Sequence, residues 1–491
     1  MRGILENPPM HARWLVLLLL SVHLTVSLLS KREHGIAFDE PIHLVSGLSY
    51  SHYGDYRLQP ENGNLPQRWA ALPALLAGAQ VPPLESPGYG SSSSWRVDLE
   101  FRGLNPHQHR TYLAWGRAMI GVFSLATGLM VFLWSRSLFG LNAGLFSLLL
   151  YCFNPEFLAH GTLVTSDMAG TCCMLAAVWS FWTSLNSPKL TTVLASGVLL
   201  GLACVSKFSA VLLLPVLVVL VAIRTIHPAA FRVGRWNATA TQERFLAGSL
   251  VLVIHALLAW VVIWCAYGLR FSAFAEGPAP QSRFLIPWLE ITSVLGWKGS
   301  LLEFFHRYKV LPEAFLYGFA FVLKSTKAHS AFLDGSYSAV GWALFFPKSF
   351  LYKTPASLLV LLSLCLLPLV QGVRATRKTD LFAAFYPLAP LLCFSAIFWA
   401  AAIGTNFNIG HRHILPLYVP LLILAGCLLK SPAEEPSPPR PPSTHRPLAV
   451  LEPSRRVLHR ITSGLPQLPL VFQLGGRRRE RRMEASGGQL Q

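Results

Sequence analysis

The residues with the clearest chemical potential are the carboxylate pair Asp39 and Glu40, two further carboxylates, Glu61 and Asp167, and two isolated bases, Lys207 and Arg412. The pair opens the stretch DEPIHLVSGLSYSHYGDYRLQPENGNLPQRWAALP, directly after the first apolar run. A carboxylate at such a place can take a proton from an acceptor hydroxyl. An ammonium or a guanidinium can stabilise a phosphate that is gaining charge. Each residue also has a plainer role open to it. Asp167, with Thr165 and Ser166, fits a helix cap. Lys207 fits a hairpin tip that snorkels to an interface. Arg412, between His411 and His413, fits an interface anchor, and a His-x-His pair alone says little about metal. Glu61 fits a solvated loop, and His160 fits a structural hydrogen bonder.

The elements that must position these residues are apolar. The chain has 491 residues, of which 53% are hydrophobic and 13% charged. A soluble domain carries about a quarter charged residues. The apolar residues fall in runs of roughly 17 to 22, long enough for the hydrocarbon core of a bilayer. Only helices and closed barrels satisfy their backbone in lipid, and these runs are too long for barrel strands. The expected fold is therefore an all-α polytopic membrane protein of about ten spans: 14–30, 113–134, 141–153, 168–185, 190–206, 208–223, 246–267, 354–370, 381–402 and 414–429. Two long loops, 31–112 and 268–353, separate them. A Pro-rich, then basic tail follows, 431–491, expected to be disordered. Domain one is thus 1–430.

With the N-terminus in the cytoplasm, the short cytoplasmic segments hold Arg136, Lys189, Arg224, Arg232, Arg235, Arg244, Arg374, Arg377 and Lys378. This is the positive-inside pattern. Both long loops and Asp39, Glu40, Glu61, Asp167, Lys207 and Arg412 then share the opposite face. The net charge of +18 is accounted for by orientation and anionic lipid rather than nucleic acid. The eight cysteines lie in or beside apolar runs without metal-ligand spacing, as packing residues do.

Several segments together resemble the GT-C membrane glycosyltransferases, in particular family 39, which includes protein O-mannosyltransferases and the lipid A aminoarabinose transferases. FDEPIHLVSGLSYSHYGDYRLQPENGNLPQ is similar to their acidic first loop, and NPEFLAHGTLVTSDM to their second acidic segment. GLACVSKFSAVLLLP is similar to their lysine-tipped hairpin. FLDGSYSAVGWALFFPKSFLYKTP and NIGHRHILPLYVPLLILAG resemble the end of their large outer loop and a late span. The order is the family's, over roughly residues 30–430. One departure stands out: Glu61 is followed by Asn62-Gly63-Asn64-Leu65-Pro66, where the family has Pro-Pro.

The resemblance implies a polyprenyl-phosphate sugar donor and an inverting transfer to a lipid, glycan or protein hydroxyl at the extracytoplasmic face. It assigns Asp39 as base, with Glu40 tuning it or holding the acceptor. Glu61, Asp167 and His160 would bind the acceptor or a divalent cation. Lys207 and Arg412 would bind the donor phosphate. Apart from that cation and the lipid-linked sugar, the resemblance names no cofactor. The rival is a transporter or lipid-linked sugar flippase, which would place charges in mid-membrane and show internal repeats. Here the span charges reduce mainly to Arg117, and no repeat is evident. A third reading is an inactive scaffold. The excess of Arg over Lys fits a GC-rich genome, so a bacterial inner membrane is favoured over the endoplasmic reticulum.

Overall fold

The computed structural model describes residues 8–33, 35–234, 236–275, 283–368 and 378–430. The expected tail lies outside them. The chain starts with a long helix, α1 (Met10–Glu33). The first loop then carries α2 (Glu40–His52), α3 (Asn64–Leu76), α4 (Pro87–Gly90) and α5 (Ser94–Leu104). Next come α6 (His109–Phe139), α7 (Leu141–Cys152), α8 (Pro155–His160), α9 (Ser166–Asn186) and α10 (Leu190–Ser206). A 3₁₀ turn (Phe208–Leu212) leads into α11 (Leu213–Ile226), and a short hairpin (Phe231–Val233 with Trp236–Ala238) into α12 (Thr241–Ala266). The second loop holds α13 (Trp288–Thr292), α14 (Trp297–Arg307), α15 (Glu313–Ser325), a hairpin (Ala331–Leu333 with Ser336–Ser338) and α16 (Phe345–Lys353). The chain ends its described part with α17 (Ala356–Leu364), α18 (Lys378–Phe385), α19 (Ala389–Gly404) and α20 (Leu415–Ala425).

Among the described residues, seven helical stretches are long and apolar enough to cross a membrane, and an eighth counts if a bent pair forms one span. That pair, Phe345–Lys353 and Ala356–Pro368, turns by 105° at Thr354-Pro355. Proline supplies no N–H to continue the first helix, which accounts for a break there. The expected third and fifth spans are present as shorter apolar helices, Leu141–Cys152 and Leu190–Ser206. The helix α9 is the most deeply buried span and α1 the most exposed. Ala169, Gly170, Thr171, Cys172 and Cys173 give α9 a slender, buried first half, so neighbouring elements can approach the residues at its start.

The first loop is pinned by polar groups as much as by apolar packing. Asp55 and Arg57 form a fully buried pair at 2.8 Å, and Asp55 also accepts the amide of Ala275 at 3.0 Å from the second loop. A buried acid left alone would cost several kcal/mol, roughly what the pairing offsets. The bond to Ala275 ties the first loop to the second. All eight cysteines are free.

Candidate active site

Asp39 is the residue preceding α2, and Asp167 lies in the first turn of α9. Lys207 sits where α10 ends and the 3₁₀ turn begins, and Arg412 lies in the turn that opens α20. These four side chains form one chain of alternating charge. Asp39 Oδ2 accepts from Arg412 Nη2. The Arg412 Nε lies 3.5 Å from Asp167 Oδ2, and the Lys207 Nζ lies 2.5 Å from Asp167 Oδ1. Asp167 is nearly fully buried, whereas Asp39 and Arg412 keep about a quarter of their side chains exposed. Asp39 is thus the acid of the centre that solvent or a substrate can reach.

Asp167 spends its oxygens on Lys207, Arg412 and the Thr165 hydroxyl, which donates to it at 3.0 Å. No side-chain hydrogen bond from Thr165 caps α9. The Lys207 stem crosses α9 at Gly170, where an added Cβ would stand 2.8 Å from Lys207 Cβ. The missing side chain at Gly170 is what lets the ammonium reach Asp167.

Glu40 has different surroundings. It is fully buried and holds Arg117 through two contacts, Nε to Oε1 at 2.8 Å and Nη2 to Oε2 at 2.5 Å. It also accepts the amides of Ala37 at 2.9 Å and Val164 at 3.2 Å. Arg117 in turn donates to the Lys31 carbonyl. Glu40 therefore ties the end of α1, the first third of α6 and the approach to α9 together.

The Asn-Gly sequence that replaces the expected Pro-Pro has a steric reason. Asn62 accepts the Ser166 hydroxyl at 3.3 Å. At Gly63 a Cβ would stand 2.2 Å from the backbone of Ser206, so the loop lies directly on the tip that presents Lys207. Glu61 is half-buried in this loop, and desolvation pushes its carboxyl up to about 7. His160 lies on α8, 3.6 Å from Glu156, and burial lowers its ring to about 4, so it is neutral near pH 7. His160 and Glu61 have no direct contact with the charged chain. Among the described residues no group of three or more His, Cys, Asp or Glu side chains is arranged to hold a metal ion.

Two residues were not singled out from sequence. His43 is buried on α2, hydrogen-bonded to Gln67 at 3.1 Å, and burial holds it down to about 4 against the pull of Asp39 and Asp167. His413 follows Arg412, and its Nε2 is buried without a partner among the described residues. Its neighbour in the His-x-His pair, His411, turns away to Tyr418 at 2.7 Å and Ser349 at 3.2 Å. Beside the hairpin tip lies an apolar cleft of about 530 Å³, lined by Asn64, Leu65, Arg68, Trp69, Val205 and Val262 among others.

A bundle of apolar helices with paired acids and bases gathered at its helix ends defines a polytopic membrane protein with a charged centre. The family model for dolichyl-phosphate-mannose-protein mannosyltransferase matches residues 115–260, from α6 to α12. Over this segment the chain is similar to that family. No curated protein sequence matches it. Among solved structures it is similar to the archaeal oligosaccharyltransferase AglB from Archaeoglobus fulgidus, in complex with an inhibitory peptide and a dolichol-phosphate. That likeness has 12% identity and a TM-score of 0.49, over 85% of this chain and 50% of the other. The chain thus spans about half the length of that enzyme. It is also similar to ArnT from Cupriavidus metallidurans, in the apo state at 15% identity and a TM-score of 0.37, over 85% and 78% of the two chains. The form of ArnT bound to undecaprenyl phosphate gives 13% and 0.34, over 84% and 77%.

Proposed function

We propose that this chain is an inverting glycosyltransferase that moves a sugar from a polyprenyl-phosphate carrier to an acceptor hydroxyl at the extracytoplasmic membrane face. The observation that carries the reading is the Asp39–Arg412–Asp167–Lys207 chain, which joins a reachable base to two cations at the ends of apolar helices. Asp39 takes the acceptor proton as the acceptor oxygen bonds to the anomeric carbon. The bond from that carbon to the phosphate oxygen breaks, and its electron pair leaves with the phosphate. Lys207 and Arg412 stabilise the departing anion in a site of low dielectric. No enzyme nucleophile is involved, so the anomeric configuration inverts.

Asp39 and the donor phosphate compete for Arg412. Donor binding draws the guanidinium away and leaves Asp39 free to serve as base. Asp167 stays paired with Lys207 and positions it. Glu40 is a positioning residue through Arg117, and Glu61 and His160 are assigned to the acceptor. The apolar cleft by Val205 and Asn64 suits an isoprenoid chain whose phosphate rests near Lys207. A divalent cation would have to be brought with a substrate to find enough ligands here. The favoured setting is a bacterial inner membrane.

The test uses the full chain in nanodiscs with dolichyl- or undecaprenyl-phosphate sugars, release of sugar being followed by mass spectrometry. Asp39→Asn removes basicity at constant size, and transfer is expected to fall by about 10²–10⁴-fold with donor binding kept or tightened, since the competitor for Arg412 is weakened. Lys207→Met and Arg412→Met are each expected to weaken binding of undecaprenyl phosphate. Together they should cost less than the sum, since both act on one group. Wild-type turnover in Asp39→Asn would remove the base from this residue. Unchanged lipid-phosphate binding in both Met variants would reject the donor site.

A further inference from the structure

The helix α14 has two apolar faces. One, with Gly299 and Leu302, is buried against α13 and α15. The opposite one consists of Trp297, Leu301, Phe304 and Tyr308, which are 73%, 44%, 52% and 62% exposed. Their spacing of four, three and four residues aligns them in a single stripe, within about 60° around the helix. A helix on a wet protein surface carries polar residues there, and a contiguous apolar stripe marks a lipid or protein contact.

The depth of the stripe is set by the neighbouring span. Trp260 and Trp264, near the end of α12, donate their indole N–H groups to the carbonyl of Val310 at 2.8 and 3.3 Å. Trp260 is itself exposed on a membrane-crossing helix. Tryptophan at such a place lies at the boundary of hydrocarbon and head groups. Val310 is two residues beyond Tyr308, so the stripe begins at that boundary and is continuous with the lipid-facing side of α12. Lys298, Arg307 and Lys309 stand exposed beside it and suit anionic head groups. The one acid of the helix, Glu303, is turned to accept the Thr292 hydroxyl at 2.6 Å.

We infer that α14 is an interfacial helix whose Trp297, Leu301, Phe304 and Tyr308 insert into the leaflet on the side of the charged centre. The element behind it reaches that centre. On α15, Phe315 and Phe319 pack on Phe208 with ring centres 5.1 and 6.0 Å apart, one residue from Lys207. Leaflet contact is therefore two layers of packing away from the ammonium, whatever reaction the centre performs.

The experiment places the full chain in phosphatidylcholine and phosphatidylglycerol nanodiscs containing a phosphatidylcholine with a diazirine in its acyl chain. After irradiation, peptides are mapped by mass spectrometry. Adducts are expected within residues 297–308 and on the exposed side of α12 near Trp260. Leu301→Glu combined with Phe304→Glu is expected to lose the first set and keep the second, which reports that the bundle is folded. The inference is overturned if wild-type protein gives adducts on α12 but none in 297–308, while a water-soluble diazirine labels that peptide. It is equally overturned if 297–308 cross-links to a second copy in place of lipid and the double variant disperses a dimer.

Discussion

Substituting Gly170 by alanine tests the geometry of the charged centre without touching any charged group. The new methyl would stand 2.8 Å from Lys207 Cβ and 3.1 Å from its Cδ. Ordinary carbon contacts are about 3.5–4.0 Å, so the lysine stem must retreat by about 0.7–1.2 Å. Its Cβ is fixed to the backbone, so rotation of the side chain cannot absorb the shift. The turn between α10 and the 3₁₀ segment must move as well, and the ammonium now 2.5 Å from Asp167 moves with it. Overpacking of this kind costs about 1–3 kcal/mol. Replacing glycine within a helix returns about 1 kcal/mol. The net loss, about 0–2 kcal/mol, leaves the protein folded. A displacement of 1 Å in a positioning group costs about 10²-fold in rate. Gly170→Ala in nanodiscs is therefore expected to transfer sugar about 10–100-fold more slowly, with a slightly lowered melting temperature and weaker binding of undecaprenyl phosphate. Wild-type turnover and wild-type lipid-phosphate binding in a folded Gly170→Ala protein would refute the reasoning.

Glu40→Gln leaves Arg117 buried without its charge partner, and thermal unfolding should register a loss of about 3–5 kcal/mol. Glu40→Gln with Arg117→Gln should recover part of it; a fully stable but inactive Glu40→Gln would instead give Glu40 a direct role in transfer. Glu61 ionises at about 7 in the fold against an ordinary 4.5, so the folded state holds its proton longer than the unfolded chain. Its contribution to stability is present below pH 4.5 and is lost as pH rises through about 7. Stability measured across that window should decline in wild type and flatten in Glu61→Gln, whereas parallel curves would place the titration elsewhere. Reporter fusions at Gly88 and Ser300 should lie on one side of the membrane and one at Gly234 on the other; Gly88 and Gly234 on the same side would break the shared-face argument.

The helical membrane fold was legible because long apolar runs leave the backbone one economical solution in lipid. The expected spans all recur as helices, yet Leu141–Cys152 has only 12 residues, and the chain turns by 105° before α17. Lengths and bends of this kind depend on neighbouring helices, which hydropathy does not encode. The acids and bases stood out in sequence because charge is rare in such a chain. Their pairing did not. Glu40 finds Arg117 77 residues later, and Asp39 finds Arg412 373 residues later. Asp39 and Glu40 are adjacent and chemically alike, but one begins a helix at the surface and the other points into the bundle. Only the partner across the fold separates the exposed acid from the buried one. The close approach of Gly63 to the Ser206 backbone is likewise a contact across the fold that local sequence does not announce.

The reach of these pairs also dictates an order of manufacture. Chains leave the ribosome N-terminus first. Glu40 can meet Arg117 once α6 has been inserted, and Asp167 can meet Lys207 once α10 is complete. Asp39 must wait for Arg412, at the mouth of the last described span. During that interval the nascent protein holds its scaffold pair and its lysine pair, with the surface acid still lacking its guanidinium. The centre closes only once Arg412 has been made, so a chain translated no further than α19 carries no assembled charged site.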